Sequence, residues 1–257
     1  MEWNAEPILF QLGPIAIRYY SLMFIIGFIS MSYYVKKVFQ ADGHDPKLVD
    51  SLTNHIIVGM IVGARLAHCF FYDPGYYLSN PHKILMVWEG GLASHGGYLG
   101  VIIAVSLFIK KNPKINFLWL MDNIAGPCLF VGGLIRIGNF MNSEIIGKAS
   151  DLPWAIIFKK VDLVPRHPAQ LYEAIGYFSV AFLYMYLSRK AKGLKNGAVL
   201  AIAMILSFLF RFFVEFAKDN QSTISDSLPI NMGQILSLCF MMGGVYLYLK
   251  VQKPSRA

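Results

Sequence analysis

Long apolar stretches broken by short polar ones run along almost the whole chain, and few of them show the alternation of a half-buried strand. A bilayer span needs about 20 mostly apolar residues. By that rule seven spans are predicted, over residues 15–35, 52–72, 92–110, 117–138, 169–188, 197–217 and 231–250. The connections between them are short except at residues 73–91 and 139–168. The second long connection contains DLPWAIIF, bounded by Pro153 and Pro165, which reads as a short extended, partly buried element. Loops of this length on a rigid scaffold tend to carry function. With no Gly/Ser linker, low-complexity tract or internal repeat, residues 1–257 read as one integral domain.

Composition agrees with the pattern. The 257 residues are 56% hydrophobic and 15% charged, and the mean hydropathy is +0.49. A soluble domain is nearer a quarter charged, so a membrane protein is indicated. Glu2 and Glu6 with no basic run do not resemble a cleavable signal peptide. Cys69, Cys128 and Cys239 lie inside apolar spans with no CxxC, so neither a disulfide framework nor a metal site is expected.

The net charge of +8 raises the question of nucleic acid, and its distribution answers it. With the N-terminus outside, the inner loops and tail collect Lys36, Lys37, Lys47, Lys110, Lys111, Lys114, Arg189, Lys190, Lys192, Lys195, Lys250, Lys253 and Arg256. The outer loops hold Lys83, Lys148, Lys159, Lys160, Arg166 and Lys218, roughly half as many. The basic excess is a topology signal: N-terminus outside, C-terminus cytoplasmic, both long loops outside, and no nucleic-acid partner. Trp88, Trp154 and the Tyr pairs at 19–20 and 76–77 fit an interfacial aromatic belt.

Against this background the intramembrane polar residues stand out. Arg18, Arg65, Arg136 and Arg211 sit within or at the edge of spans, all toward the outer half. The stretch LIRIGNFMNSEIIG (134–147) packs Arg136, Asn139, Asn142 and Glu144 together before Gly147. GGLASHGGYLG puts His95 at the outer start of span 3, RHPAQLYEA puts His167, Gln170, Tyr172 and Glu173 at that of span 5, and RFFVE sets Arg211 and Glu215 one turn apart. Blander readings exist: Arg18 and Arg65 as snorkelling residues, Arg211–Glu215 as a helix-holding pair, His95 as a packing residue, Asp122 as a helix-terminus feature. What favours function is several clusters at one depth. Guanidinium groups with Asn, Tyr and His partners at headgroup level suit an anionic lipid substrate. No GxSxG, HExxH or P-loop is present, so positioning plus electrostatics with a His base is expected. The rival class is a lipid or ion transporter or a lipid-binding protein; a transporter should carry polar residues through the full bilayer depth, and the cytoplasmic halves here are bland.

Arg136-Ile137-Gly138-Asn139-Phe140-Met141-Asn142-Ser143-Glu144, ending at Gly147, resembles the signature of the bacterial prolipoprotein diacylglyceryl transferases. The likeness covers most of the chain: Tyr19-Tyr20 with Leu22-Met23, Arg65, Trp88 to Gly91, His95-Gly96-Gly97, His167-Pro168 with Gln170 to Glu173, Arg211 with Glu215, and Met232-Gly233-Gln234. It departs at Ile135, where the signature usually has Gly, and at Ser207, where the family often has Tyr. The resemblance implies an all-α, seven-helix enzyme of the bacterial cytoplasmic (inner) membrane. It would move the sn-1,2-diacylglyceryl group of phosphatidylglycerol to the lipobox Cys of a prolipoprotein signal peptide, without cofactor, with its site toward the extracytoplasmic face. His95 would act as base and Arg136 and Arg211 would stabilise the phosphate. Tyr20, Asn139 and Asn142 would orient the headgroup, and Glu144 and Glu215 would hold guanidinium groups. Gly147, His167, Gln170 and Tyr172 would complete the substrate site.

Overall fold

The computed structural model describes residues 1–13, 15–190, 193–218 and 231–253. In chain order the elements are β1 (Glu2–Trp3), β2 (Ile8–Leu12), β3 (Ile15–Arg18), α1 (Tyr19–Ala41), α2 (Lys47–Phe71), α3 (Pro74–Ser79), 3₁₀ turns at Pro81–Leu85 and Val87–Glu89, α4 (Ser94–Lys111), α5 (Phe117–Met141), β4 (Ile156–Phe158), β5 (Pro165–Arg166), α6 (Ala169–Lys190), α7 (Ala198–Val214) and α8 (Met232–Gln252). A long helix thus occupies each predicted span. Four of them, Tyr19–Ala41, Lys47–Phe71, Phe117–Met141 and Gly233–Gln252, are long and apolar enough to cross a bilayer, while Ala198–Val214 is apolar but shorter.

Helix faces bear out the membrane reading. Ile25, Ile29 and Tyr33 of α1, four residues apart, are all more than half exposed, as are Met242, Tyr246 and Leu249 of α8. An amphipathic helix of a soluble protein would turn such residues inward.

Two compact units result. Residues 1–34 and 118–257 form the first, residues 35–117 the second. In the first, a β2–β3 hairpin precedes α1, and β1 pairs in parallel with β4, which pairs antiparallel with β5. This small sheet seats on the end of α5 through Trp3, whose ring centroid is 4.4 Å from that of Phe140, and through the fully buried Phe158. Ion pairs brace it: Lys159 to Glu2 at 2.6 Å and Arg166 to Asp162 at 2.6 Å. Hydrogen bonds from those cations hold the Glu2 and Asp162 carboxyls below their usual range. The opposite end is tied by Asp122, which caps a helix other than its own: its carboxylate accepts from Gly197 N at 2.5 Å and Leu200 N at 2.7 Å, at the start of α7.

In the second unit α2 and α4 approach backbone to backbone. A Cβ at Gly63 would lie 2.9 Å from Gly100 Cα, and Gly59 and Gly96 are similarly closed in. Both helices carry glycines four apart on the contact face, the small-residue seam that lets membrane helices pack closely.

Candidate active site

In the first unit the polar residues gather at one end of the helices, because that is where α5 stops and α6 begins, and where α7 stops and α8 begins. Arg136 lies near the end of α5, with its Nε 3.0 Å from Glu173 Oε2 on α6 and its Nη1 donating to Asn139 Oδ1 at 3.4 Å. Asn139 Nδ2 in turn donates to Glu144 Oε2 at 3.0 Å, and Asn142 Nδ2 to Glu144 Oε1 at 3.2 Å. Glu144 therefore fixes which way both amides point, which turns Asn139 Oδ1 toward the guanidinium.

The turn that brings Glu144 back is strained. Ser143 and Ile145 both have φ of 56°, a region β-branched Ile rarely visits. Gln170, fully buried, secures it by donating to the Glu144 carbonyl at 2.6 Å. Gly138 lets Tyr20 of α1 lie against this end of α5, since a Cβ there would sit 2.8 Å from the Tyr20 ring. Gly147 serves a similar purpose: its N–H donates to His167 O at 3.0 Å, and a Cβ would meet Ala217 O at 2.6 Å.

On the other side Arg211 Nε lies 3.6 Å from Glu215 Oε1. Tyr177 of α6 lies beside Arg211, close enough for its hydroxyl to interact with the guanidinium. The buried Ser207 hydroxyl, one turn before Arg211, has no hydrogen-bond partner among the described residues. The phenol meeting this arginine thus comes from α6, not from position 207. Asn231 donates to Glu215 Oε2 at 3.3 Å and forms a capping box with Gln234 at the start of α8. His167, at the mouth of α6, has Nδ1 3.2 Å from Tyr172 Oη, which accepts from Trp154 Nε1 at 2.7 Å.

Two buried residues join the Arg136 and Arg211 sides: Glu173, named with the span-5 cluster but given no role, and Lys218. Glu173 is 1% exposed; besides Arg136 it contacts Lys218 Nζ at 3.5 Å through Oε1. These are ion-pair contacts, since among the described residues neither carboxylate oxygen has an aligned donor. Lys218, 5% exposed, also donates to Glu215 Oε1 at 3.1 Å. Arg136, Glu173, Lys218, Glu215 and Arg211 form one row of alternating charge. Glu144, expected to hold a guanidinium, instead holds the two asparagines, and Glu173 holds Arg136. Lys218, counted with the outer loops, is an interior residue.

Two expectations fall in the second unit. His95 is the second residue of α4, and its side chain lies outside the described part of the structure. Arg65 does not snorkel but turns inward onto main-chain carbonyls. It is 3% exposed and donates to the carbonyls of Ile84 at 3.0 Å, Lys83 at 2.5 Å, Gly91 at 3.2 Å and Gly90, with the Tyr77 ring 5.0 Å from its guanidinium carbon. It ties residues 83–91 to α2. Among the described residues no three His, Cys or carboxylate side chains gather as a metal-holding set.

The sequence pattern of one family, described as prolipoprotein diacylglyceryl transferase, matches residues 7–250. This chain belongs to that family. Its similarity to individual transferases is spread over the full length. It is 44% identical over 247 residues to the phosphatidylglycerol–prolipoprotein diacylglyceryl transferase of Tolumonas auensis, covering 96% of each chain. To that of Chloroherpeton thalassium it is 42% identical over 255 residues, covering 99% of this chain and 95% of the relative. To that of Bacteroides fragilis it is 42% identical over 259 residues, 96% and 93%. Membership of the diacylglyceryl transferase family and four bilayer-length helices make it a membrane-bound transferase.

Proposed function

We propose that the chain transfers the sn-1,2-diacylglyceryl group of phosphatidylglycerol to the lipobox cysteine of a prolipoprotein, in the bacterial cytoplasmic membrane, with seven spans, the N-terminus outside and the site at the extracytoplasmic face. The observation that supports it most is the row from Arg136 to Arg211, a cationic arrangement in a largely water-excluded setting at one end of the helices.

The reaction asks for little covalent work from the protein. A cysteine sulfur attacks the glyceryl carbon attached to the phosphate oxygen. The S–C bond forms, the C–O bond breaks, and its electron pair leaves on glycerol phosphate. A free thiol has a pKa of about 8.5, so a base must take its proton, and His95 is assigned that role. The phosphodiester becomes a monoester and gains negative charge, and guanidinium groups in a low-dielectric site favour that change. Arg136 and Arg211 take this part. Tyr20, Asn139 and Asn142 orient the headgroup, with Glu144 setting the two amides. Gly147, Gln170, His167 and Tyr172 shape the wall beside it, and Glu215 positions Arg211.

The test is incubation of the purified protein with phosphatidylglycerol and a lipobox peptide, followed by mass spectrometry of the peptide. A gain of one diacylglyceryl group on the cysteine is expected, with release of glycerol phosphate. An unmodified peptide in the presence of folded protein and substrate would overturn the reading.

A further inference from the structure

Lys218 lies between two carboxylates, each of which faces an arginine. Its Nζ is 3.1 Å from Glu215 Oε1 and 3.5 Å from Glu173 Oε1, and both acids are almost fully buried. Without a cation between them, two buried carboxylates so placed would repel. With it, each acid has an oxygen near Lys218 and also faces its arginine: Glu173 through Oε2 to Arg136, Glu215 to Arg211. The lysine is fixed from its own backbone as well. Residue 218 bridges antiparallel to Gly147, and Lys148 N donates to Ala217 O at 2.9 Å, so the segment is strapped to the extended residues that follow the Glu144 turn.

We propose that Lys218 is a positioning residue that fixes the separation of Arg136 and Arg211 and leaves their pair with a surplus positive charge. Among the described residues the directly paired groups are three cations (Arg136, Lys218, Arg211) against two carboxylates (Glu173, Glu215), an excess of one. A phosphodiester carries one negative charge, and this excess matches it. Removing the lysine charge leaves each arginine matched by its own acid, so the row loses both its attraction for an anion and the tie between its ends. This assignment rests on the diacylglyceryl transfer proposed above, and its test separates the two.

Four proteins are compared: wild type, Lys218→Arg, Lys218→Met and Lys218→Met/Glu173→Gln, each checked for helical content. Phosphatidylglycerol affinity is measured alongside kcat and KM in the lipobox-peptide reaction. Lys218→Met should raise KM for phosphatidylglycerol and lower kcat, together by about tenfold or more, the scale of disturbing a charge-stabilising group. Lys218→Arg should restore most of both. The double variant keeps the net charge but not the tie, so it should bind phosphatidylglycerol and still turn over slowly; it also carries the test if the single Met variant fails to fold. Unchanged kcat/KM and affinity in folded Lys218→Met, or wild-type turnover in the double variant, would overturn the proposal. If wild type itself forms no thioether, the transfer reading falls, and Lys218 is judged on affinity: equal binding by wild type and folded Lys218→Met, or loss of binding in the double variant, rejects it too.

Discussion

At Arg136 one guanidinium serves two partners, the Glu173 carboxylate through Nε and the Asn139 amide oxygen through Nη1. A lysine reaches one of these at a time. Arg136→Lys should therefore keep part of the activity with a raised KM for phosphatidylglycerol, and Arg136→Ala should lose nearly all of it. The alanine also leaves buried Glu173 with Lys218 as its one cation, a loss below the about 3–5 kcal/mol of a fully unpaired buried charge, so thermal unfolding must be followed in parallel. Arg136→Ala/Glu173→Gln should recover stability and not activity. Wild-type phosphatidylglycerol affinity in that stable double variant would mark the cluster as structural. For His95, a base role predicts a fall in turnover of about 10²–10⁴-fold on His95→Gln with lipid binding nearly intact. If binding or folding fails first, His95 packs, and His167 beside Tyr172 becomes the residue to test. The sequence made Arg136, Asn139, Asn142 and Glu144 legible because polar groups in an apolar run are costly. It hid Lys218, because a lysine just past an apolar run looks like any loop charge. It hid the role of Arg65 because the partners are main-chain carbonyls, which no side-chain pattern encodes.

Helices were readable from the length of apolar runs alone, and most ends agree within a few residues. α1 runs on to Ala41 and α2 starts at Lys47, beyond the predicted 35 and before the predicted 52; the one change of element type is at the first span, predicted from residue 15, where α1 begins at Tyr19 and Ile15–Arg18 forms β3. A four-residue apolar strand running straight into an apolar helix leaves no change of period to detect. DLPWAIIF was readable as extended because two prolines isolate it, and β4 lies within it. Helix packing was less accessible, since glycines mark close approach without naming the partner. The α2–α4 seam yields a signed prediction. Gly63→Ala puts a methyl against Gly100 Cα, 2.9 Å away, and should destabilise by about 1–3 kcal/mol as overpacking does. Gly75→Ala, in α3 with nothing within 4 Å of the added Cβ, should be neutral or stabilising by about 0.5–1 kcal/mol. Thermal unfolding in detergent gives both; equal shifts would mean the seam yields.

Charge distribution and the construction of the first unit constrain the orientation of the whole protein together. The N-terminal amine donates to Ala155 O at 3.3 Å and Glu2 pairs with Lys159, so the start of the chain shares an end with the 147–167 segment and the Arg136–Arg211 row. At the opposite end Lys195 Nζ donates to Lys253 O at 2.9 Å, joining the α6–α7 connection to the end of α8. Within this unit that second end carries Arg189, Lys190, Lys195, Lys250 and Lys253, and the positive-inside rule predicts that it faces the cytoplasm. Met1 and the candidate site should then face outward together. In a background lacking Cys69, Cys128 and Cys239, an impermeant maleimide should label Leu163→Cys in right-side-out vesicles, where residue 163 is 77% exposed. It should reach Asn196→Cys, in the exposed α6–α7 connection, only after permeabilisation. Labelling of 196 and not 163 in sealed vesicles would invert the protein. It would also put the arginine row on the cytoplasmic side, where a thiol presented from outside could not meet it, so this one measurement bears on the direction of the chemistry as well as on the topology.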